Sequence, residues 1–431
     1  MNSKILLVFV LLMVLRLLTL PHLDLKDNQI IRVTGTLNQE PKLSEKSQTF
    51  DLGQVKVVTA RYPEFHYGDV VQAEGKVKVT SMVNLFQRYR IANSVLIYPK
   101  VALVCKASPC RHAGGRLGWL TWVINLRNHL RNFYQTALSS PSDGIVAGVV
   151  LGDKSLIPKA FWDKLKLTGT LHIMVASGMN IALFSETVIK MLSLVVKRKQ
   201  AVMLLYFVIL FYVLLTGVTP PVVRAAIMAS LIYLGQLTGR EYDAKRIVWL
   251  TGGVMLLVTP RLIFDIGFQL SLLATLGLIY LQPIITQWQK HVLLFKFSSF
   301  SSSVAAMIMT LPILTNSFGL VNVIAPIINL SVLWSMPFIL LGGGLFGGIG
   351  LIIPDIGKYL VLLLFPATYF VEQAISWFAN MTVFQVQIPK IGFVFWVLYY
   401  GVIWVLVKKA VVFRAMIRNL YKLGLRRNNQ W

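Results

Sequence analysis

His172, Ser177 and Asn180 stand at the head of a long apolar run, within Leu167-Thr168-Gly169-Thr170-Leu171-His172-Ile173-Met174-Val175-Ala176-Ser177-Gly178-Met179-Asn180-Ile181. Hydrocarbon tolerates such groups only where they face protein or a water-filled cavity. A chain with this stretch is predicted to enclose a polar path through a membrane. Composition agrees: 56% of residues are hydrophobic and only 14% are charged, with a mean hydropathy of +0.66. A soluble domain carries about 25% charged residues. The fold class expected is a polytopic α-helical membrane protein.

The apolar character is not uniform. Residues 1–26 hold a short apolar run, Ile5 to Leu20, broken by Arg16 and ended by Pro21. With no small-residue cleavage site after it, this run reads as a membrane anchor rather than a signal peptide. Residues 27–110 alternate with period two, as in Ile31-Arg32-Val33-Thr34-Gly35-Thr36-Leu37 and Asp69-Val70-Val71-Gln72-Ala73-Glu74-Gly75-Lys76-Val77. That pattern predicts a small antiparallel β-domain of about four or five strands, and an oligonucleotide-binding (OB) type barrel fits it. Residues 111–142 contain an amphipathic helix, with Trp119, Trp122, Val123, Leu126, Leu130, Phe133, Tyr134 and Ala137 on one side. Asn125, Asn128, Arg131, Asn132 and Gln135 take the other, as in a helix lying in the headgroup layer. Residues 143–407 are nearly all membrane segment, with crossings expected near 171–196, 201–218, 221–238, 247–259, 262–283, 300–318, 321–353, 356–379 and 391–407. With the anchor this makes about ten spans, several of them broken. Residues 408–431 form a basic tail.

Net charge is +25, from 42 Lys+Arg against 17 Asp+Glu. Lys197-Arg198-Lys199, Arg240 to Arg246, Lys290 to Lys296 and the tail from Lys408 fall on one side of the expected crossings, which the positive-inside rule makes cytoplasmic. Both termini are then inside and the β-domain outside. The interval between Gly75 and Ser142 holds ten basic residues and no acid. On the external side cytoplasmic retention no longer accounts for them, and an anionic external ligand does. A polyanion such as DNA, anionic outer-leaflet lipid and cell-wall polymer all meet that description.

Arg224 lies one turn into an apolar segment that begins at Pro220-Pro221, and Asp265 and Gln269 lie one turn apart. A charge at the centre of a span costs at least about 2.5 kcal/mol, so such groups pair or face water. Arg224 with Asp265 is the candidate pair, either as a salt bridge between helices or with Arg224 left to contact a passing phosphate. Gly342-Gly343-Gly344 with Gly347-Gly348 indicate close helix packing and no chemistry. The six histidines form no metal-ligand cluster, and Ser177 lacks the flanking glycine at Val175 of a nucleophile elbow. No catalytic residue, metal or cofactor is expected. Cys105 and Cys110 form a candidate local disulfide if their loop is external.

Several separate motifs in order carry a resemblance. They are Gly152-Asp153-Lys154-Ser155, Thr168-Gly169-Thr170, His172 with Ser177-Gly178, and Arg224-Ala225-Ala226-Ile227-Met228. Pro260 with Phe264-Asp265-Ile266-Gly267-Phe268-Gln269-Leu270-Ser271 follows, then Ser317-Phe318-Gly319 through Ala325-Pro326-Ile327-Ile328-Asn329-Leu330. Over roughly residues 145–340 this resembles the membrane domain of the ComEC/Rec2 competence family, and the β-domain is similar, less specifically, to that family's external OB-like domain. The resemblance implies inward transfer of single-stranded DNA across the cytoplasmic membrane during natural transformation. Expected partners are the strand, the lipid bilayer, a separate DNA receptor and a cytoplasmic motor or helicase. Arg88, Arg90, Arg116, Arg127 and Arg131 are the candidate DNA contacts. His172, Ser177, Asn180, Arg224, Asp265 and Gln269 are expected to converge on one polar cavity. The family usually has His where this chain has Asn180, so only a hydrogen-bonding role carries over. Many members add a cytoplasmic β-lactamase-like nuclease domain. This sequence has no metal motif and is expected to be a form without that domain, leaving strand degradation to another polypeptide. Two other functions fit the residues: a permease for another anionic polymer or lipid-linked precursor, and a non-transporting scaffold that binds DNA or cell-wall polymer.

Overall fold

The computed structural model describes residues 28–37, 41–43, 47–52, 55–65, 69–81, 92–97, 99–105, 118–174, 177–239, 243–289, 298–388, 392 and 395–409. The expected anchor 1–26, the tail from 410, Arg88, Arg90, Arg116 and Cys110 lie outside them, so the disulfide and those three candidate contacts have no structural account. The chain divides into two compact units, Met1–Asp265 with Ser331–Asn380, and Ile266–Leu330 with Met381–Trp431.

Seven strands form one sheet in the first unit: β1 (Ile30–Thr36), β2 (Lys42–Leu43), β3 (Ser47–Leu52), β4 (Val55–Ala60), β5 (Val70–Ser81), β6 (Ala92–Ile97) and β7 (Lys100–Cys105). Their order is β1-β5-β6-β4-β3-β2, with β7 paired to β5 and β4 parallel to β6. Period-two patterning places Val77, Leu96, Val57 and Phe50 in one row across β5, β6, β4 and β3, all buried. The neighbouring row on the opposite face holds the exposed Lys78 and Lys56, both in register with Val95. Strand β5 pairs with β1 and β7 up to Lys76 and with β6 from Val77 on. Gly75 marks the change of partners; a Cβ there would stand 2.8 Å from Cβ of Pro99. The expected closed barrel is not formed: β1 and β3 approach each other, but among the described residues no ladder joins them.

Helices follow in the same unit: α1 (Gly118–Ala137), α2 (Ser142–Leu151), α3 (Lys159–Thr168), α4 (Gly178–Val195), α5 (Arg198–Thr216), α6 (Pro220–Leu237) and α7 (Ala244–Val258). The second unit holds α8 (Ile266–Tyr280), α9 (Gln282–Gln289), α10 (Ser298–Phe318), and a short strand pair, β8 (Leu320–Asn322) with β9 (Gln385–Gln387). After α11 (Ala325–Leu333), at the boundary of the units, come α12 (Met336–Ile352), α13 (Pro354–Leu362) and α14 (Phe365–Ala379) of the first unit, then a helical stretch over 395–409 in the second.

Helices α4, α5 and α6 are long and apolar enough to cross a bilayer. Three bent pairs, α8 with α9, α11 with α12 and α13 with α14, raise the number to six if each is one span. This is a mostly helical membrane protein. Among the described residues, which leave out the expected anchor, the count is below the ten or so expected, and two of the expected crossings show why. The run 247–259 yields only the 15 residues of α7, and α10 opens on serines that lower its hydropathy. Large apolar side chains such as Phe207 (70% exposed) and Leu194 (87% exposed) face outward, as lipid-facing groups do.

Helix α1 departs from the expected headgroup helix. It packs against α2, α5, α12 and α13, burying Val123, Ile124, Leu130, Phe133 and Tyr134. The glycines of α12 make that contact possible. A Cβ on Gly347 would collide with the Tyr134 hydroxyl, one on Gly350 with the Phe133 ring, and one on Gly343 would lie 2.6 Å from Val150. Tyr134 donates to the Gly343 carbonyl oxygen across 2.9 Å. Gly342, Gly343 and Gly347 of the run thus sit at close contacts, as the sequence indicated, whereas Gly344 and Gly348 meet nothing within 4 Å.

Candidate functional site

The motif residues Gly152 to Asn180 fold around α2, every residue of which is buried. Gly152 and Gly169 end α2 and α3 in the left-handed conformation, at φ 69° and 72°, which glycine adopts without strain. Asp153 follows directly and is 1% exposed. Its Oδ1 accepts from Ser155 N (2.9 Å) and Ser155 Oγ (2.7 Å), and its Oδ2 lies 3.4 Å from Arg131 Nε on α1. The chain then returns through α3, where Thr168 Oγ1 lies 2.8 Å from Thr170 Oγ1 and Lys164 Nζ donates to Ser376 Oγ on α14 (3.0 Å). The turn after α3 comes so close to α2 that a Cβ on Gly148 would lie 2.5 Å from the Met174 carbonyl oxygen.

Ser177 is the N-cap of α4, yet its side chain caps no backbone amide. Its Oγ donates instead to Asn180 Oδ1 (3.2 Å), and Asn180 Nδ2 donates to the Val149 carbonyl oxygen (3.1 Å). Asn180 is 1% exposed and so joins α4 to the last turn of α2. Helices α4, α5 and α6 pack pairwise. A Cβ on Gly178 would lie 3.3 Å from Cβ of Ala225, which puts the start of α4 beside the residue that follows Arg224. Tyr212 of α5 stacks on Phe184 of α4 with ring centroids 4.6 Å apart, and its hydroxyl reaches toward the Asn180 side chain without completing a hydrogen bond. Arg224 is 5% exposed, and its Nε and Nη1 have no hydrogen-bond partner.

The structure therefore brings Ser177 and Asn180 into contact and sets Arg224 on the helix next to them. It does not pair Arg224 with Asp265. Asp265 is exposed, and no ion pair joins the two. His172 is exposed as well, with Nδ1 3.1 Å from the Gly169 carbonyl oxygen. Gln269 belongs to α8 in the other unit. Two candidate DNA contacts turn inward. Arg127 is 3% exposed, with Nη1 near Gly217, and Arg131 is engaged with Asp153. On a helix packed against protein, these arginines are spent on internal partners rather than presented to a strand. Tyr212 was not legible as a site residue, because Phe211-Tyr212 in an apolar helix reads as core or as a membrane-interface anchor.

An apolar helical bundle with broken helices and buried polar groups at helix starts defines a membrane protein with an internal polar site. Residues 149–411 match the competence protein family, and with well over half of its 431 residues matched the chain belongs to that family. It is 28% identical to ComE operon protein 3 of Bacillus subtilis (strain 168) over 257 residues, 59% of this chain and 31% of that protein. It is 34% identical to an uncharacterized protein of Aquifex aeolicus (strain VF5) over 110 residues, 25% of this chain and 26% of that protein. The match spans about a third of the first relative's length and about a quarter of the second's.

Proposed function

We propose that the chain carries single-stranded DNA inward across the cytoplasmic membrane during natural transformation, as a channel and not as an enzyme. The observation that carries this reading is the match to the competence protein family over residues 149–411, a range that includes the apolar helices carrying Asn180 and Arg224. Buried polar groups inside apolar helices support a conduit over a scaffold, which has no use for them. On this reading both termini are cytoplasmic and the sheet lies outside, with the N-terminal anchor and the helical stretch near the C-terminus adding to the spans counted among the described residues.

The sheet is OB-like in strand order. The series β1-β5-β6-β4-β3 contains one parallel pair and leaves its single gap between β1 and β3, as in a partly open five-stranded barrel. Lys56 and Lys78 on its exposed face, with Lys76 beside them, supply cations for a sugar-phosphate strand. A separate receptor would deliver the strand and a cytoplasmic motor or helicase would pull it. The test is uptake of labelled DNA in a transformable deletion strain with and without this gene. Restored uptake is expected; uptake that is the same with and without the gene removes the proposal.

A further inference from the structure

Near the start of α4 the Tyr212 hydroxyl and Nε and Nη1 of Arg224 have no hydrogen-bond partner among the described residues. Tyr212 lies four residues before the end of α5 and Arg224 four residues after the start of α6. At 1.5 Å per residue both stand about 6 Å from the turn that joins the helices, on one level. The first turn of α4 is on the same level, since Gly178 faces Ala225 and Tyr212 reaches for Asn180. Three kinds of donor lie at this level. The first amides of α4 have no side-chain cap and carry the positive end of a helix dipole. The Tyr212 hydroxyl is 4% exposed and has no partner. The Arg224 guanidinium is 5% exposed, with Nε and Nη1 unpartnered.

Among the described residues no acid pairs with Arg224. Asp153 is held by Arg131 and Ser155, Glu186 pairs with Lys190 across 2.7 Å, and Asp265 makes no ion pair with Arg224. A guanidinium buried without a counter-charge is strongly unfavourable, and no described residue supplies that charge.

We propose that Arg224, Tyr212 and the first turn of α4 form a binding site for one phosphate group of a phosphodiester. Arginine's planar fork suits two phosphate oxygens, and helix amides with a hydroxyl suit a third. The chemistry stands on the donors alone; that the phosphate belongs to a DNA strand rests on the function proposed above. A phospholipid headgroup presents the same group, and the experiment separates the two.

Full-length protein is purified in a phosphate-free sugar detergent, and its thermal midpoint is followed against inorganic phosphate and against chloride at matched ionic strength. Phosphate is expected to raise the midpoint beyond chloride. Arg224→Gln is expected to weaken apparent phosphate affinity roughly tenfold or more, as loss of a charge-assisted contact does. Tyr212→Phe removes a hydroxyl that has only the Asn180 side chain beside it and completes no hydrogen bond, so it is expected to fold as the parent does and to weaken phosphate a few-fold. It keeps the test decisive if Arg224→Gln fails to fold. No phosphate-specific rise in the parent protein, or a parent-like response in Tyr212→Phe and in any folded Arg224→Gln, overturns the site. A short oligothymidylate that competes with phosphate, while its uncharged methylphosphonate analogue does not, assigns the site to DNA. Competition by phosphatidylglycerol but not by oligothymidylate keeps the site and assigns it to lipid. Restored DNA uptake by a protein that shows no phosphate response removes the site and leaves the transport function standing.

Discussion

Asn180 on α4 donates from Nδ2 to the carbonyl oxygen of Val149 on α2, across 3.1 Å. That carbonyl lies in the last turn of α2, where Asp153 N turns back to Ala147 O instead of continuing the helical ladder. The side chain therefore answers an acceptor that the end of the helix leaves open. Asn180→Asp keeps the shape and removes the donor, setting a carboxylate against a carbonyl. It is expected to lower stability by about 1–3 kcal/mol. Thermal unfolding in detergent checks this; an unchanged midpoint would show that the bond contributes nothing.

The Arg131–Asp153 pair gives a second expectation. Asp153 is almost fully buried, and Arg131 is its ionic partner among the described residues. Arg131→Ala leaves a buried carboxylate with only Ser155, which costs about 3 kcal/mol or more. Adding Asp153→Asn in the same chain removes the charge and should recover much of the loss. If Arg131 instead served an external strand, Arg131→Ala would weaken DNA binding with the midpoint unchanged.

These residues show what a sequence can and cannot say about such a protein. The β-strands 30–36, 55–60 and 70–81 were legible because a half-buried strand alternates strictly, and the glycines of α12 because small residues in apolar helices mark contact. The basic face of α1 was misread. Its periodicity was correct, but periodicity tells only that a helix has two faces, not that protein rather than headgroups covers Arg127 and Arg131. The Arg224–Asp265 pairing failed for a related reason. Rarity of charge predicts that each residue needs compensation, and not that the two compensate each other.

Within α12 the structure separates glycines that touch from glycines that do not. A Cβ on Gly347 meets the Tyr134 hydroxyl, which also bonds the Gly343 carbonyl, whereas one on Gly348 meets nothing within 4 Å. Gly347→Ala is expected to destabilise by about 1–3 kcal/mol through overpacking. Gly348→Ala, one residue along, should be neutral or gain up to about 1 kcal/mol from helix propensity. Midpoints of the two variants side by side check the register of α1 on α12. Equal effects would mean that the contact lies elsewhere.

The second unit offers a closed thermodynamic test. Pro312 lies inside α10 and has no N–H, so the carbonyl oxygen of Ile308, four residues earlier, loses its helical donor. The Tyr399 hydroxyl donates to that oxygen across 2.9 Å, and Tyr400 donates to the next carbonyl, that of Met309, also at 2.9 Å. In a segment that water does not reach, a freed carbonyl is costly, and the tyrosine supplies what the proline removed. Tyr399→Phe should therefore cost about 1–2 kcal/mol. Pro312→Ala returns an N–H to the helix, so Tyr399→Phe should cost much less in that background. The double-mutant cycle is read from thermal or denaturant midpoints in detergent. A coupling near zero, with Tyr399→Phe equally costly in both backgrounds, would mean that the hydroxyl acts through packing and not by answering the proline.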